Sequence, residues 1–134
     1  MKKSERVFPD TNVVIRYLLR DNAEQFAAAE SFFEEVRIGK KRAVILESVI
    51  VECLYVLTKF YGIPREEAAG PLAELLSYKG LVNDDTDALA DALKLFSDSK
   101  LDPVDCVLAA RHRRGEGDIY TFDRELQNAA TGKI

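Results

Sequence analysis

Short apolar runs alternate along this chain with longer stretches in which apolar residues return every three or four positions, a pattern of strands interleaved with amphipathic helices. Val7-Phe8 reads as a short strand. Val13, Ile15, Leu18 and Leu19 then give a helical face that Asp21 interrupts. Asp21-Asn22-Ala23-Glu24 has the form of a capping box and starts a helix, with Phe26, Ala29, Phe33 and Val36 inward, that Gly39 ends. Ala43-Val44-Ile45-Leu46 is short, continuous and rich in β-formers, as a strand covered on both faces should be. Ser48 is placed to cap the next helix, which presents Val49, Cys53, Val56 and Phe60 at core spacing until Gly62.

Pro64 opens a helix that is acidic in its first turn and is closed by Lys79-Gly80; Leu81-Val82 is read as a strand. Asp84 or Asp85 caps a helix carrying Ala88, Ala92, Leu95 and Phe96. Asp102-Pro103 starts another, with the acid at the cap and proline at the first helical position, running to Gly115. Ile119-Tyr120-Thr121 is expected to be the last strand, turning at Asp123-Arg124-Glu125-Leu126. Strands alternating with helices imply parallel pairing, and hence an α/β three-layer α/β/α sandwich with a mainly parallel central sheet. No repeat, low-complexity tract or linker divides residues 1–134, so one domain is expected.

Composition narrows the setting. The chain has 134 residues, enough to bury a core without a covalent staple, and 47% of them are hydrophobic. No stretch reaches the roughly 18 apolar residues of a membrane span, and Met1-Lys2-Lys3-Ser4-Glu5-Arg6 leads into no signal-type apolar region. Cys53 and Cys106 sit in apolar helical patterns without zinc or disulfide spacing, so reduced core thiols in the cytoplasm are expected, with no membrane partner. A formal charge of -4 is opposite to that of a protein coating nucleic acid generally. Nucleic-acid contact must then be local. The basic candidates are Lys40-Lys41-Arg42, the cluster Arg111-His112-Arg113-Arg114, and Arg16 with Arg20 one helical turn on; each can equally be a solvated helix face.

Four carboxylates fall where such a fold collects them. Asp10 follows the first strand, Glu52 lies early in the helix after the second, Asp105 is one turn into its helix, and Asp123 follows the last strand. Each has an ordinary alternative as a cap, a first-turn acid or a solvated residue. Glu52 has little polar company between Val49-Ile50-Val51 and Cys53-Leu54, and burying it alone would be costly. Converging in one crevice, the four would repel one another and raise their own pKa values unless a cation neutralised them. An all-oxygen donor set suits Mg²⁺ or Mn²⁺, which can position and activate water against a phosphodiester without a histidine base. His112 is the sole histidine, so paired-histidine ribonuclease chemistry and a His-rich zinc hydrolase are excluded.

The string Asp10-Thr11-Asn12-Val13-Val14, the Glu52 helix, Leu101-Asp102-Pro103-Val104-Asp105-Cys106-Val107-Leu108-Ala109-Ala110, and Tyr120-Thr121-Phe122-Asp123 resemble, in order and spacing, the PIN-domain nucleases. The likeness is nearest to the VapC-like toxin ribonucleases of VapBC toxin-antitoxin modules, and it covers nearly the whole chain. The resemblance implies a metal-dependent endoribonuclease, held in check by a cognate antitoxin protein and commonly a homodimer. It makes Asp10, Glu52, Asp105 and Asp123 the metal-binding acids, with Thr11, Asn12 and Thr121 as supporting polar residues. Arg16, Arg20, Arg111, Arg113 and Arg114 become candidates for RNA phosphates. Pro9 stands where the family has an ordinary strand residue, and Cys106 where a small residue such as Ala is usual; neither removes a ligand. Asp102 could compete with Asp105, but its place before Pro103 makes it the natural cap. A phosphohydrolase of the haloacid-dehalogenase type would need an acid where Asn12 stands. A catalytically silent PIN-like module binding RNA or protein is the remaining alternative.

Overall fold

The computed structural model describes residues 5–132; the basic start Met1-Lys2-Lys3-Ser4 lies outside them. Helices dominate: α1 (Thr11–Leu19), α2 (Ala23–Arg37), α3 (Glu47–Tyr55), α4 (Arg65–Leu76), α5 (Thr86–Asp98), α6 (Pro103–Arg113) and α7 (Arg124–Ala130). A π-helical turn, Val56–Phe60, extends α3. The strands are short. β1 (Arg6–Val7) and β2 (Arg42–Ala43) pair in parallel, and Leu81 adds a parallel bridge on the other side of Ala43.

Most stops and starts follow local chemistry. Asn22, rather than Asp21, caps α2 by accepting from the Gln25 N–H at 3.0 Å, because Asp21 is turned to Arg16. Gly39, Gly62 and Gly115 supply the positive φ that follows α2, the π-turn and α6. Ser48 caps nothing: Leu46 holds the N-cap position of α3, without a side-chain cap bond.

The central sheet is reduced relative to the expected one, and the reasons are specific. Val44 N–H still reaches Val7 O, but the next donor and acceptor on this strand, Ile45 N–H and C=O, are taken by the side-chain amide of Asn83 at 2.9 and 2.7 Å. One side chain replaces a strand residue. Ile119-Tyr120-Thr121 forms no strand among the described residues. Gln127 Nε2 donates to Thr121 O, and Thr121 Oγ1 accepts from Asp123 N–H, so Thr121 bonds to the start of α7 instead of a ladder.

The core runs through all layers, from Val14, Ile15 and Phe33 through Ile45, Ile50 and Leu57 to Leu72, Leu89, Phe96 and Ala109. α4 packs on α5, α5 on α6 and α6 on α7, while α3 touches α1, α4 and α6. Cys53 and Cys106 are free and buried, and burial pushes their thiols up to about 12 and about 11. No helix of the described residues is long and apolar enough to cross a membrane.

Because Asn83 satisfies both backbone groups of Ile45, its loss leaves a half-buried donor and acceptor unpaired. Asn83→Ala is expected to cost about 2 kcal/mol, read as a lower urea midpoint at unchanged slope. A midpoint equal to wild type would show that water replaces the amide without loss.

Candidate active site

The Asp10 carboxylate sits at the N-cap of α1, where Oδ1 accepts from Val13 N–H at 3.0 Å. Pro9, buried just before it, ends β1 with no N–H to offer. Asp123 has the same post on α7, accepting from Glu125 N–H at 2.8 Å and Leu126 N–H at 3.3 Å. One Asp oxygen in each case is thereby fixed by backbone, which aims the carboxylate without consuming it.

Glu52 and Asp105 come from the two helices that meet behind these caps. Glu52 is exposed on α3, so the cost of burying it never arises. It lines a groove of about 370 Å³ together with Thr11, Asn12 and Arg16, which brings the first turns of α1 and the acid of α3 to one opening. Cys53, next to Glu52, also feels the Asp10 charge, so those two acids share a neighbourhood. Asp105 is half-buried in the first turn of α6. Burial raises its pKa, and the nearby charges of Asp123 and Asp102 raise it further. Tyr55 of α3 stands close enough to Asp102 and Asp105 for both to raise its own pKa, after burial. Asp105 and Asp123 therefore form an electrostatic couple, while Asp10 and Glu52 both lie near Cys53; α3 and α6 are in contact.

None of the four is in an ion pair among the described residues, although basic side chains are plentiful. Those side chains are engaged elsewhere. Arg16 chelates Asp21 at 2.7 and 2.8 Å and donates to Tyr61 Oη at 2.7 Å. Arg111 binds Glu47, Asp85 and Glu116, with Glu47 the largest cause of its raised pKa. Arg113 donates to Ala129 O, and Arg114 pairs with Asp91. Arg20, in the left-handed region at φ 58°, lays its guanidinium 4.8 Å over Phe26. His112 Nδ1 is 2.7 Å from Gly117 O, in the turn after α6.

Two residues important to this placement escape a sequence reading. Arg65 donates to Phe96 O at 2.8 Å and to Leu101 O, with its guanidinium 3.5 Å from the Phe96 ring centroid. It ties the end of α5 to the residue before the Asp102-Pro103 start, and so sets where Asp105 begins. Glu47 draws Arg111 away from the acids. Neither has a local sequence signal, since each partner is tens of residues distant.

The donor set suits a hard divalent cation by its chemistry: oxygen only, with Asp105 repelled by Asp123, and with no ion-pair partner among the described residues. It is not a closed cage, for no three Asp, Glu, His or Cys groups among the described residues stand close enough to hold an ion together. Mg²⁺ does not require one, because it keeps several waters and uses one or two carboxylates with substrate phosphate. In the metal-free protein, the raised Asp105 pKa means that its ionisation destabilises the fold; stability falls as pH rises from the ordinary carboxylate value through the raised folded one. Asp105→Asn is therefore expected to raise the melting temperature in EDTA by a few degrees. A lower melting temperature in EDTA would show that the charge's favourable interaction with the α6 dipole outweighs the repulsion.

The family model described as "PIN domain" matches residues 7–132. A curated relative, the VapC ribonuclease of Aquifex aeolicus (strain VF5), is 24% identical over 119 residues, covering 88% of this chain and 87% of that protein. No solved structure gives a significant match.

Proposed function

The chain belongs to the PIN domain family, and on that premise we propose that it is a metal-dependent endoribonuclease, the toxin of a toxin-antitoxin pair. The observation that carries this reading is the set of four acids, Asp10, Glu52, Asp105 and Asp123, standing without an ion-pair partner among the described residues, while Arg16, Arg111 and Arg114 are bound to other acids. Such an arrangement leaves negative charge for a cation to balance, most clearly at Asp105, which burial and the Asp123 charge disfavour as a carboxylate. The fold that supports it is read as the PIN-like three-layer α/β/α sandwich, its sheet shortened by the Asn83 substitution for a strand residue.

Mg²⁺ or Mn²⁺ would be held by these carboxylates and would supply Lewis acidity toward an RNA phosphodiester. The protein's own groups do the positioning. Val13 N–H fixes the Asp10 carboxylate, and Glu125 and Leu126 N–H fix that of Asp123. Thr11 and Asn12 line the groove beside Glu52 and can orient phosphate or water there. Thr121 acts on Asp123 from behind, through its Oγ1 and the backbone N–H. Among the arginines expected at phosphates, the internal bonds of Arg16, Arg111, Arg113 and Arg114 leave Arg20 as the candidate whose guanidinium makes neither an ion pair nor a hydrogen bond among the described residues. A cognate antitoxin, a second copy of the chain and a cytoplasmic setting complete the proposal.

A purified preparation given a small-RNA pool is expected to yield discrete fragments with Mg²⁺ or Mn²⁺ and none with EDTA. Fragments that persist in EDTA would overturn the metal requirement. The alternative, a silent binding module, is favoured by the capping work that Asp10 and Asp123 perform; it is separated from the nuclease by the substitution with which the Discussion begins.

A further inference from the structure

The helical spacing Val49, Cys53, Val56, Phe60 places Phe60 in the core, but the structure puts it 78% exposed. The π-helical turn is the cause. Thr58 Oγ1 donates back to Leu54 O at 2.7 Å, and Tyr61 N–H reaches Val56 O five residues earlier, so the widened turn shifts the register and Leu57 becomes the buried residue. Phe60 and Tyr61 emerge side by side, ring centroids 4.9 Å apart and edge to face. Both line the groove that also holds Glu52, Thr11, Asn12 and Arg16. Tyr61 is held in place, since its hydroxyl accepts from Arg16, itself clamped by Asp21. A second exposed pair, Tyr120 and Phe122, brackets Thr121 immediately before Asp123.

Resting on the nuclease reading, we propose that Phe60 and Tyr61 form a stacking subsite for one unpaired base of a single-stranded RNA, adjacent to the phosphodiester that the acids address. Isolated exposed apolar residues are ordinary, but a pre-oriented aromatic pair in a largely apolar groove that also presents Thr11, Asn12, Arg16 and Glu52 matches the two-sided chemistry of a nucleobase. The rings meet the base face, while the Asn12 amide and Thr11 hydroxyl can meet its edge. A base within a duplex cannot offer its face, so the subsite selects single strands and loops. The electrostatics agree. With a net charge of -4 and four of five candidate arginines bound internally, stacking adds affinity that those arginines do not supply.

The test is equilibrium binding to Asp10→Asn protein in EDTA, which needs no cleavage. The probe is a single-stranded oligoribonucleotide of about ten residues carrying 2-aminopurine, against the same strand annealed to its complement. The single strand should bind and quench, the duplex should bind more weakly, and the salt slope should correspond to only about one or two phosphates. Phe60→Leu, apolar but without a ring face, should weaken binding about tenfold and lose the quench, and Phe60→Tyr should restore both. Three results would overturn the subsite: no binding of the single strand, equal binding by Phe60→Leu, or sedimentation showing that Phe60→Leu splits a dimer, which would assign the face to a second copy. Failure of the wild type to cut RNA would instead remove the nuclease reading, and these binding results would still be legible.

Discussion

Asp10→Asn protein should fold with near wild-type stability and lose metal-dependent RNA cleavage by at least about a hundredfold, in line with removal of a group that positions or balances charge in a transition state. The two halves of this expectation have different physical origins. Asn is as good an N-cap as Asp, so the bond from Val13 N–H at 3.0 Å survives and α1 keeps its start. The lost charge is what matters at the proposed cation site, where Asp10 shares a neighbourhood with Glu52. Asp10→Ala is the informative companion, because it should add about 1 kcal/mol of destabilisation to the same loss of activity. Assaying both for fragments in Mn²⁺ and for unfolding in urea separates capping from catalysis. Cleavage by Asp10→Asn at the wild-type rate would mean either a contaminating nuclease or a centre that does not use this acid. RNA binding retained or strengthened without any cleavage by wild type would support the silent module.

Gly80→Ala is expected to be the most damaging single-methyl change, at about 3 kcal/mol or more, with a melting temperature lower by roughly 10 °C or outright failure to fold. A Cβ there would stand 2.1 Å from Lys41 O and 2.6 Å from Val36 O, both backbone atoms that cannot swing aside. Gly80 is also a junction. Its N–H donates to Val36 O at 2.7 Å and its C=O accepts from Ala43 N–H at 2.9 Å, fastening the end of α2 and the bridge of Leu81 to β2. Gly70, in α4, is the control, with nothing within 4 Å of its added Cβ. Gly70→Ala should stabilise by about 0.5–1 kcal/mol through helix propensity. Thermal melts of the two variants should thus move in opposite directions; a tolerated Gly80→Ala would mean that the α2 end and the Lys41 backbone can separate at small cost.

The contrast between those glycines shows how far the sequence reaches. Gly80 was legible as a stop after α4, yet α4 ends at Leu76 and Gly80 is required by close backbone approach from residues some forty positions earlier. Gly39, Gly62 and Gly115 fit the local reading because the reason is local: a positive φ that the chain needs wherever it is placed. The same division runs through the site. Asp10 before α1 and Asp102-Pro103 before α6 could be placed from cap chemistry, and Asp105 followed from its spacing. What the arginines do could not, since Arg111 finds Glu47 64 residues away and Arg65 finds Phe96 31 residues away.

By itself, then, the sequence determined helices α1 to α6, several of their caps, the buried thiols and the ordered set of acids, because dihedral preference, capping and apolar period act within a few residues; α7, read as a turn at Asp123-Arg124-Glu125-Leu126, is a helix over Arg124–Ala130. Only the tertiary structure decided that Asn83 would stand in for a strand, that Phe60 would face out of a π-turn, that Thr121 would bond to the start of α7, and that the four acids would have no ion-pair partner among the described residues. Those outcomes depend on which distant group reaches a hydrogen-bonding or charged atom first, a competition set by packing that no local pattern encodes.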